Sequence, residues 1–190
     1  MESILIVTST EKSKGFLKEL LASTTFTQLV TVYDGSEARR QLIDNAFDLV
    51  LINAPLKDEF GHDLALSLAE STTSGIILFV KTDLADQVSE KVEEFGVVVV
   101  PKPISKQLFF QSLKIVAATR KRLLDLQSEN MRLQHRIEDM RLVDRAKCAL
   151  IEHLDLTEPQ AHRYIEKNAM DMRISRREVA EGILKNYKIL

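Results

Sequence analysis

The sequence predicts an α/β fold followed by helix alone. A flavodoxin-like, doubly wound parallel sheet of five strands comes first, then a long coiled-coil helix, then a small module of three helices. Three observations carry this reading. Up to about Ser105, short runs of Val, Ile and Leu alternate with amphipathic helical patterns. From about Ser105 to His153 one helical pattern continues without Pro or Gly, longer than an ordinary globular helix. Beyond it, residues 140–190 carry two capping boxes, each of which marks a helix start.

In chain order, strands are read at Ile4–Val7, Leu29–Tyr33, Asp48–Ile52, Ile76–Val80 and Val97–Val100. The runs are nearly continuous in apolar residues, as expected where helices cover both faces of a sheet. Strands that alternate with helices need crossover connections and therefore lie parallel. This domain is assigned to residues 1–118.

The connector, residues 119–140, has a seam at the 3,4 spacing of a coiled coil. Position a falls at Val116, Leu123, Asn130 and Ile137, and position d at Thr119, Leu126, Leu133 and Met140. A lone Asn among apolar a positions selects two parallel strands and fixes their register at some cost in stability, so the seam predicts a homodimer. The flanking g-to-e pairs are poor, since Arg136 faces Arg141 and Arg122 faces Gln127. The competing expectation is that Leu123, Leu126, Leu133 and Ile137 pack on the chain's own α/β domain.

In residues 141–190 the boxes are Thr157-Glu158-Pro159-Gln160 and Ser175-Arg176-Arg177-Glu178. After them, Ala161, Ile165, Ala169 and Met172, then Val179, Ala180, Ile183, Leu184 and Tyr187, recur at helical spacing. Leu142, Ala146, Ala149, Leu150 and Leu154 at the end of the long helix supply a third apolar face. The three stripes are expected to bury one another.

Composition bounds the function classes. At 190 residues, 45% hydrophobic and 28% charged, the chain has room for one compact domain and a smaller appendage. The single cysteine, Cys148, excludes an intrachain disulfide and is read as a packing residue in a reducing cytoplasm. No apolar run approaches the roughly 20 residues that cross a bilayer, and Met1-Glu2-Ser3 lacks the basic region of a signal peptide, so a cytoplasmic protein without membrane attachment is expected. The formal net charge is −2, but residues 1–118 hold 11 Lys+Arg against 16 Asp+Glu, net −5, while residues 119–190 hold 15 against 12, net +3. Only the second part is basic. Among the six glycines there is no phosphate-binding loop, and no Cys-His or Ser-His-acid arrangement is present. The expectation is a non-enzyme with no catalytic residues, no metal and no cofactor.

Two resemblances sharpen the picture. Arg145-Ala146-Lys147-Cys148-Ala149-Leu150, Thr157-Glu158-Pro159-Gln160-Ala161, Asn168-Ala169-Met170-Asp171 with Arg173, and Glu178-Val179-Ala180-Glu181-Gly182-Ile183-Leu184 resemble an ANTAR domain, the RNA-binding module of transcription antitermination regulators. His162 stands where the family often has an aromatic residue, and Glu166 where it often has a base, with Lys167 beside it. The resemblance implies binding of short mRNA stem-loops, commonly in pairs, that prevents a terminator hairpin from forming. Unpaired loop bases offer edges and faces that A-form stems hide. The RNA-binding candidates are Arg145 and Lys147 on the long helix, Arg163 and Lys167 on the next, and Arg173 and Arg176 at the last helix start, whose positive dipole end favours phosphate. His162 and Tyr164 are candidates for base stacking.

Ile4-Leu5-Ile6-Val7, Tyr33-Asp34-Gly35-Ser36-Glu37-Ala38, Phe47-Asp48-Leu49-Val50-Leu51-Ile52 and Lys102-Pro103 resemble a response-regulator receiver domain. The likeness fails where receivers do chemistry. Thr8 and Ser9 replace the acidic pair that holds Mg²⁺, Asn53 replaces the phosphoacceptor Asp, Val80 stands for the phosphoryl-sensing hydroxyl and Val99 for the aromatic switch; only Lys102 is kept. An amide cannot form an acyl phosphate, and hard Mg²⁺ favours carboxylate oxygen. The expectation is a pseudo-receiver that cannot be phosphorylated on Asp. Asp58 and Glu59 are read as a polar loop rather than as replacement acids. Input would then come from a small ligand at the C-terminal edge of the sheet or from a partner protein. The rival functional readings are a DNA-binding response regulator with a helix-turn-helix, and a protein–protein adaptor.

Overall fold

The computed structural model describes residues 2–187 apart from residues 23 and 25; Met1 and the last three residues of the 141–190 segment lie outside the described residues. Five strands, β1 (Ser3–Thr8), β2 (Gln28–Val32), β3 (Leu49–Asn53), β4 (Gly75–Lys81) and β5 (Val98–Lys102), form one parallel sheet in the order β2-β1-β3-β4-β5. That is the flavodoxin-like order, which places ligand crevices at the carboxyl ends of the strands. Helices α1 (Glu11–Leu21), α2 (Gly35–Asp44), α3 (His62–Ser71) and α4 (Ala85–Val92) connect them, and α5 (Lys106–Leu154), α6 (Glu158–Met172) and α7 (Arg176–Asn186) follow.

Alternation along the strands gives the sheet two buried faces. Leu5, Val7, Val50, Ile52, Leu78 and Val80 face α2, α3 and α4 through Ala38, Leu64, Leu68 and Val92. Ile4, Ile6, Leu49, Leu51, Ile77 and Phe79 face α1 and the start of α5 through Leu17, Leu21, Phe109, Leu113 and Val116. Val116, the first a position of the predicted seam, is thus core of the sheet domain. Arg120 extends the attachment by pairing with Asp48 at 2.7 Å and donating from Nε to the Thr73 carbonyl at 3.0 Å. The compact unit accordingly runs over Met1–Asp125, and a second over Leu126–Leu190.

In the second unit α5, α6 and α7 bury Ala146, Ala149, Leu150, Ala161, Ile165, Ala169, Val179, Ala180, Ile183 and Leu184 against one another. Both capping boxes form: Gln160 Oε1 accepts the Thr157 N–H at 2.8 Å, and Glu178 Oε2 accepts the Ser175 N–H at 2.7 Å. Three expectations need correction. Met172 and Leu154 are exposed, because each closes its helix just before a residue in the left-handed region, Arg173 (φ 56) and Asp155 (φ 53), that turns the chain away. Leu156, partly buried, packs against the core in place of Leu154. Cys148 is exposed rather than packed, since its neighbours Ala146 and Ala149 hold the inward positions of the turn.

Candidate nucleic-acid interface

The cations predicted to bind RNA separate into two groups. A cleft of about 520 Å³ on the three-helix module is lined by Lys147, His162 and Arg176, together with Arg136 and Arg177 and the Ser175 cap. Arg145, Arg163, Lys167 and Arg173 are exposed and do not line it. Tyr164 is exposed too, at 43%, on the outer side of α6. The capping box satisfies the N–H groups of Ser175 and Glu178, so the start of α7 faces the cleft with its first turn ordered and two Arg side chains at its mouth.

Carboxylates set the orientation of these cations. Lys147 Nζ lies 2.8 Å from Asp144 and 3.0 Å from Glu158, and hydrogen bonds to Asp144 and then Glu158 raise its pKa above the ordinary lysine value. Arg177 reaches Asp139 at 2.7 Å and Glu181 at 2.9 Å, the Asp139 bond contributing most to a raised pKa. Glu166 Oε1 sits 3.3 Å from both His162 Nε2 and Arg176, so one carboxylate bridges two of the predicted contacts. Among the described residues Arg136 has no ion-pair partner. These exposed pairs are individually weak. A polyanion with several closely spaced charges can displace them, whereas a single small anion competes poorly.

Sequence reasoning missed Arg136 and Arg177. Arg136, Met140, Val143 and Lys147 recur at three- and four-residue spacing and share one face of α5, a signal absorbed by the coiled-coil reading. Arg177 lies inside the second capping box, and a position in the box does not tell which face its side chain takes.

In the single chain the seam residues Leu123, Leu126, Leu133, Ile137 and Met140 are 43% to 55% exposed, and Asn130 is exposed among them. This row of half-exposed Leu and Ile keeps the 3,4 spacing of a coiled-coil seam along a charged helix.

At the carboxyl end of the sheet, Thr8 and Asn53 lie side by side in register, and Asn53 Nδ2 donates to Thr8 Oγ1 at 3.0 Å. Ser9 Oγ donates to the Pro55 carbonyl at 3.1 Å. Lys102 Nζ donates to the Ala54 carbonyl, and burial followed by the charge of Lys81 lowers its pKa. Val80 does not join this row. It points into the core on the opposite face of β4, where strand alternation must put it, and Lys81 with Thr82 stands at the strand end instead. Val99 likewise packs toward that opposite core. Asp58 takes the N–H groups of Gly35 at 2.9 Å and Ser36 at 3.0 Å, and Glu59 pairs with Arg39, so both acids serve the start of α2 as a polar loop would. The Mg²⁺ of receivers does not fit the residues present: among the described residues no carboxylate stands beside Asn53, and the Thr8 hydroxyl accepts from Asn53. No group of three or more acidic, His or Cys residues able to hold a metal is present among the described residues. No helix among them is long and apolar enough to cross a membrane.

Comparison with known proteins agrees with both halves. Residues 131–184 match the family model of the ANTAR domain, starting within α5 and taking in Arg136. The Transcriptional regulatory protein PdtaR of Mycobacterium tuberculosis is 27% identical over 152 residues, which cover 80% of this chain and 74% of that protein. The fold of the first unit is that of the signal receiver domain of an HD domain-containing protein from Pseudomonas fluorescens Pf-5, with TM-score 0.58 and 22% identity over 65% of this chain and 92% of that one. A response regulator receiver domain protein from Clostridium thermocellum gives 0.57 and 19% over 65% and 99%. Residues 131–184 carry an ANTAR domain, and the residues before them have the fold of a receiver domain.

Proposed function

We propose that the protein is an RNA-binding transcription antitermination regulator that engages stem-loops in nascent mRNA as a homodimer, with a receiver-like domain that takes no phosphoryl group on Asp. The observation that carries this reading is the cleft in which Arg136, Lys147, His162, Arg176 and Arg177 converge from all three helices of the ANTAR domain. Guanidinium and ammonium groups there position a phosphate backbone, and His162 offers a ring for an unstacked base. Dimerisation through Leu123, Leu126, Asn130, Leu133, Ile137 and Met140 would present two such clefts. The second stem-loop then binds at high effective concentration, which turns two modest affinities into one strong one. Asn53 supports the claim about phosphorylation, because its amide is no nucleophile toward phosphorus and already donates to Thr8. The input to the domain is therefore a ligand or partner and not a phosphoryl group.

The test is fluorescence anisotropy of full-length protein with labelled RNA carrying two short stem-loops, competed with excess unlabelled duplex DNA. Retention of RNA binding under competition supports the reading. Displacement by duplex DNA would favour a DNA-binding regulator, and binding to neither an adaptor.

A further inference from the structure

A second cavity, of about 280 Å³, opens at the carboxyl end of the sheet, lined by Lys12, Phe16, Leu17, Asn53, Lys102 and Ile104 among others. Its lining residues include two lysines and no Asp or Glu. Lys102 is half-buried, its Nζ donating to a backbone carbonyl, and it has no ion-pair partner among the described residues. Its charged neighbour is another cation, Lys81. A half-buried cation without a counter-ion is costly, and the cost falls when an anion arrives. Carboxylates near in sequence are committed elsewhere: Asp58 to the start of α2, Glu59 to Arg39, and Glu11 to Tyr33 and Lys14. One wall of the cavity is apolar, and Phe16 stands on it 41% exposed, an aromatic ring left wet beside the charge.

We propose that this cavity binds a small organic carboxylate with an apolar body, Lys102 and Lys12 taking the carboxylate and Phe16, Leu17 and Ile104 the body. The replacement of acids by Thr8, Ser9 and Asn53 reverses the sign of the site. A place that suits a cation when acidic suits an anion here. The proposal deepens the reading that the domain receives no phosphoryl group, by naming the chemical class of its input.

The experiment follows the methyl resonances of Leu17 and Ile104 by NMR in the full-length protein titrated with benzoate and hexanoate, and separately with their neutral amides. Saturable shifts with at least one carboxylate, at least tenfold weaker with its amide, are expected. Lys102→Met should weaken carboxylate binding at least tenfold. Because Lys102 also holds the Ala54 carbonyl, Lys12→Gln on the exposed first turn of α1 serves as second variant and should weaken binding at least threefold. No shift with either carboxylate, equal affinity for acid and amide, or unchanged affinity in both variants would overturn the proposal. Incubation with acetyl phosphate, read by intact mass, is run on the same sample. A gain of one phosphoryl group there would refute the phosphorylation reading separately from the anion site.

Discussion

At the scale of single residues, individual acids set the local geometry. Asp58 stands where a search for replacement catalytic acids would look, yet it accepts the free N–H groups at the start of α2. Those bonds, that of Gly35 first, hold its pKa below the ordinary carboxylate value. A depressed pKa means that Asp58 stabilises the fold above the unfolded value, near 3.9, and that this is lost as pH falls through the lower folded value. Asp58→Ala is expected to cost about 1 kcal/mol at pH 7 and distinctly less at pH 3, measured by urea unfolding at the two pH values. Glu166 acts in the opposite sense on binding, since it draws His162 and Arg176 onto one carboxylate at 3.3 Å each. Glu166→Gln is expected to tighten RNA binding about threefold and to steepen its salt dependence by about one unit of slope. Unchanged affinity and slope would show that Arg176 does not meet phosphate. The sequence marked Glu166 as an unusual acid in a basic setting, but not which cations it bridges, because that depends on how α6 and α7 pack.

At the scale of elements, strand runs, capping boxes and apolar stripes were legible because periodicity and caps are local properties. Both buried faces follow from them, whereas the strand order is non-local and comes only with the flavodoxin-like fold class. The ends of α5 and α6 were not legible: both turn through left-handed residues, Asp155 and Arg173, where a glycine would have announced the stop. Val80 was misplaced for a related reason, since a shift of one residue along a strand moves a side chain to the other face. The seam on α5 carries the element's own prediction. Asn130→Leu should strengthen self-association while admitting species larger than dimers, and Leu133→Asp should leave monomers, both read by sedimentation velocity. A monomeric wild type at the same concentrations would refute the dimer.

At the scale of the whole molecule, the chain joins a domain of receiver-like fold, with Thr8, Ser9 and Asn53 at the carboxyl edge of its sheet, to an ANTAR domain with a basic cleft. Restoring Asn53→Asp alone is expected not to confer phosphorylation by acetyl phosphate, because Thr8 and Ser9 still cannot hold the cation. A mass gain of one phosphoryl group in that variant would contradict this account of the site. The global sequence signals, a net +3 segment and an ANTAR-like pattern, point to about the last quarter of the chain but to no one face of it. Two residues separate the faces: Arg176 lines the cleft, and Arg173, three residues earlier, does not. The most direct measurement is therefore anisotropy binding of a two-stem-loop RNA to full-length wild type, Arg176→Ala and Arg173→Gly, the glycine suiting the φ of 56 found there. The cleft predicts about a tenfold loss for Arg176→Ala and a change within twofold for Arg173→Gly. The reverse order, or equal losses, would contradict it.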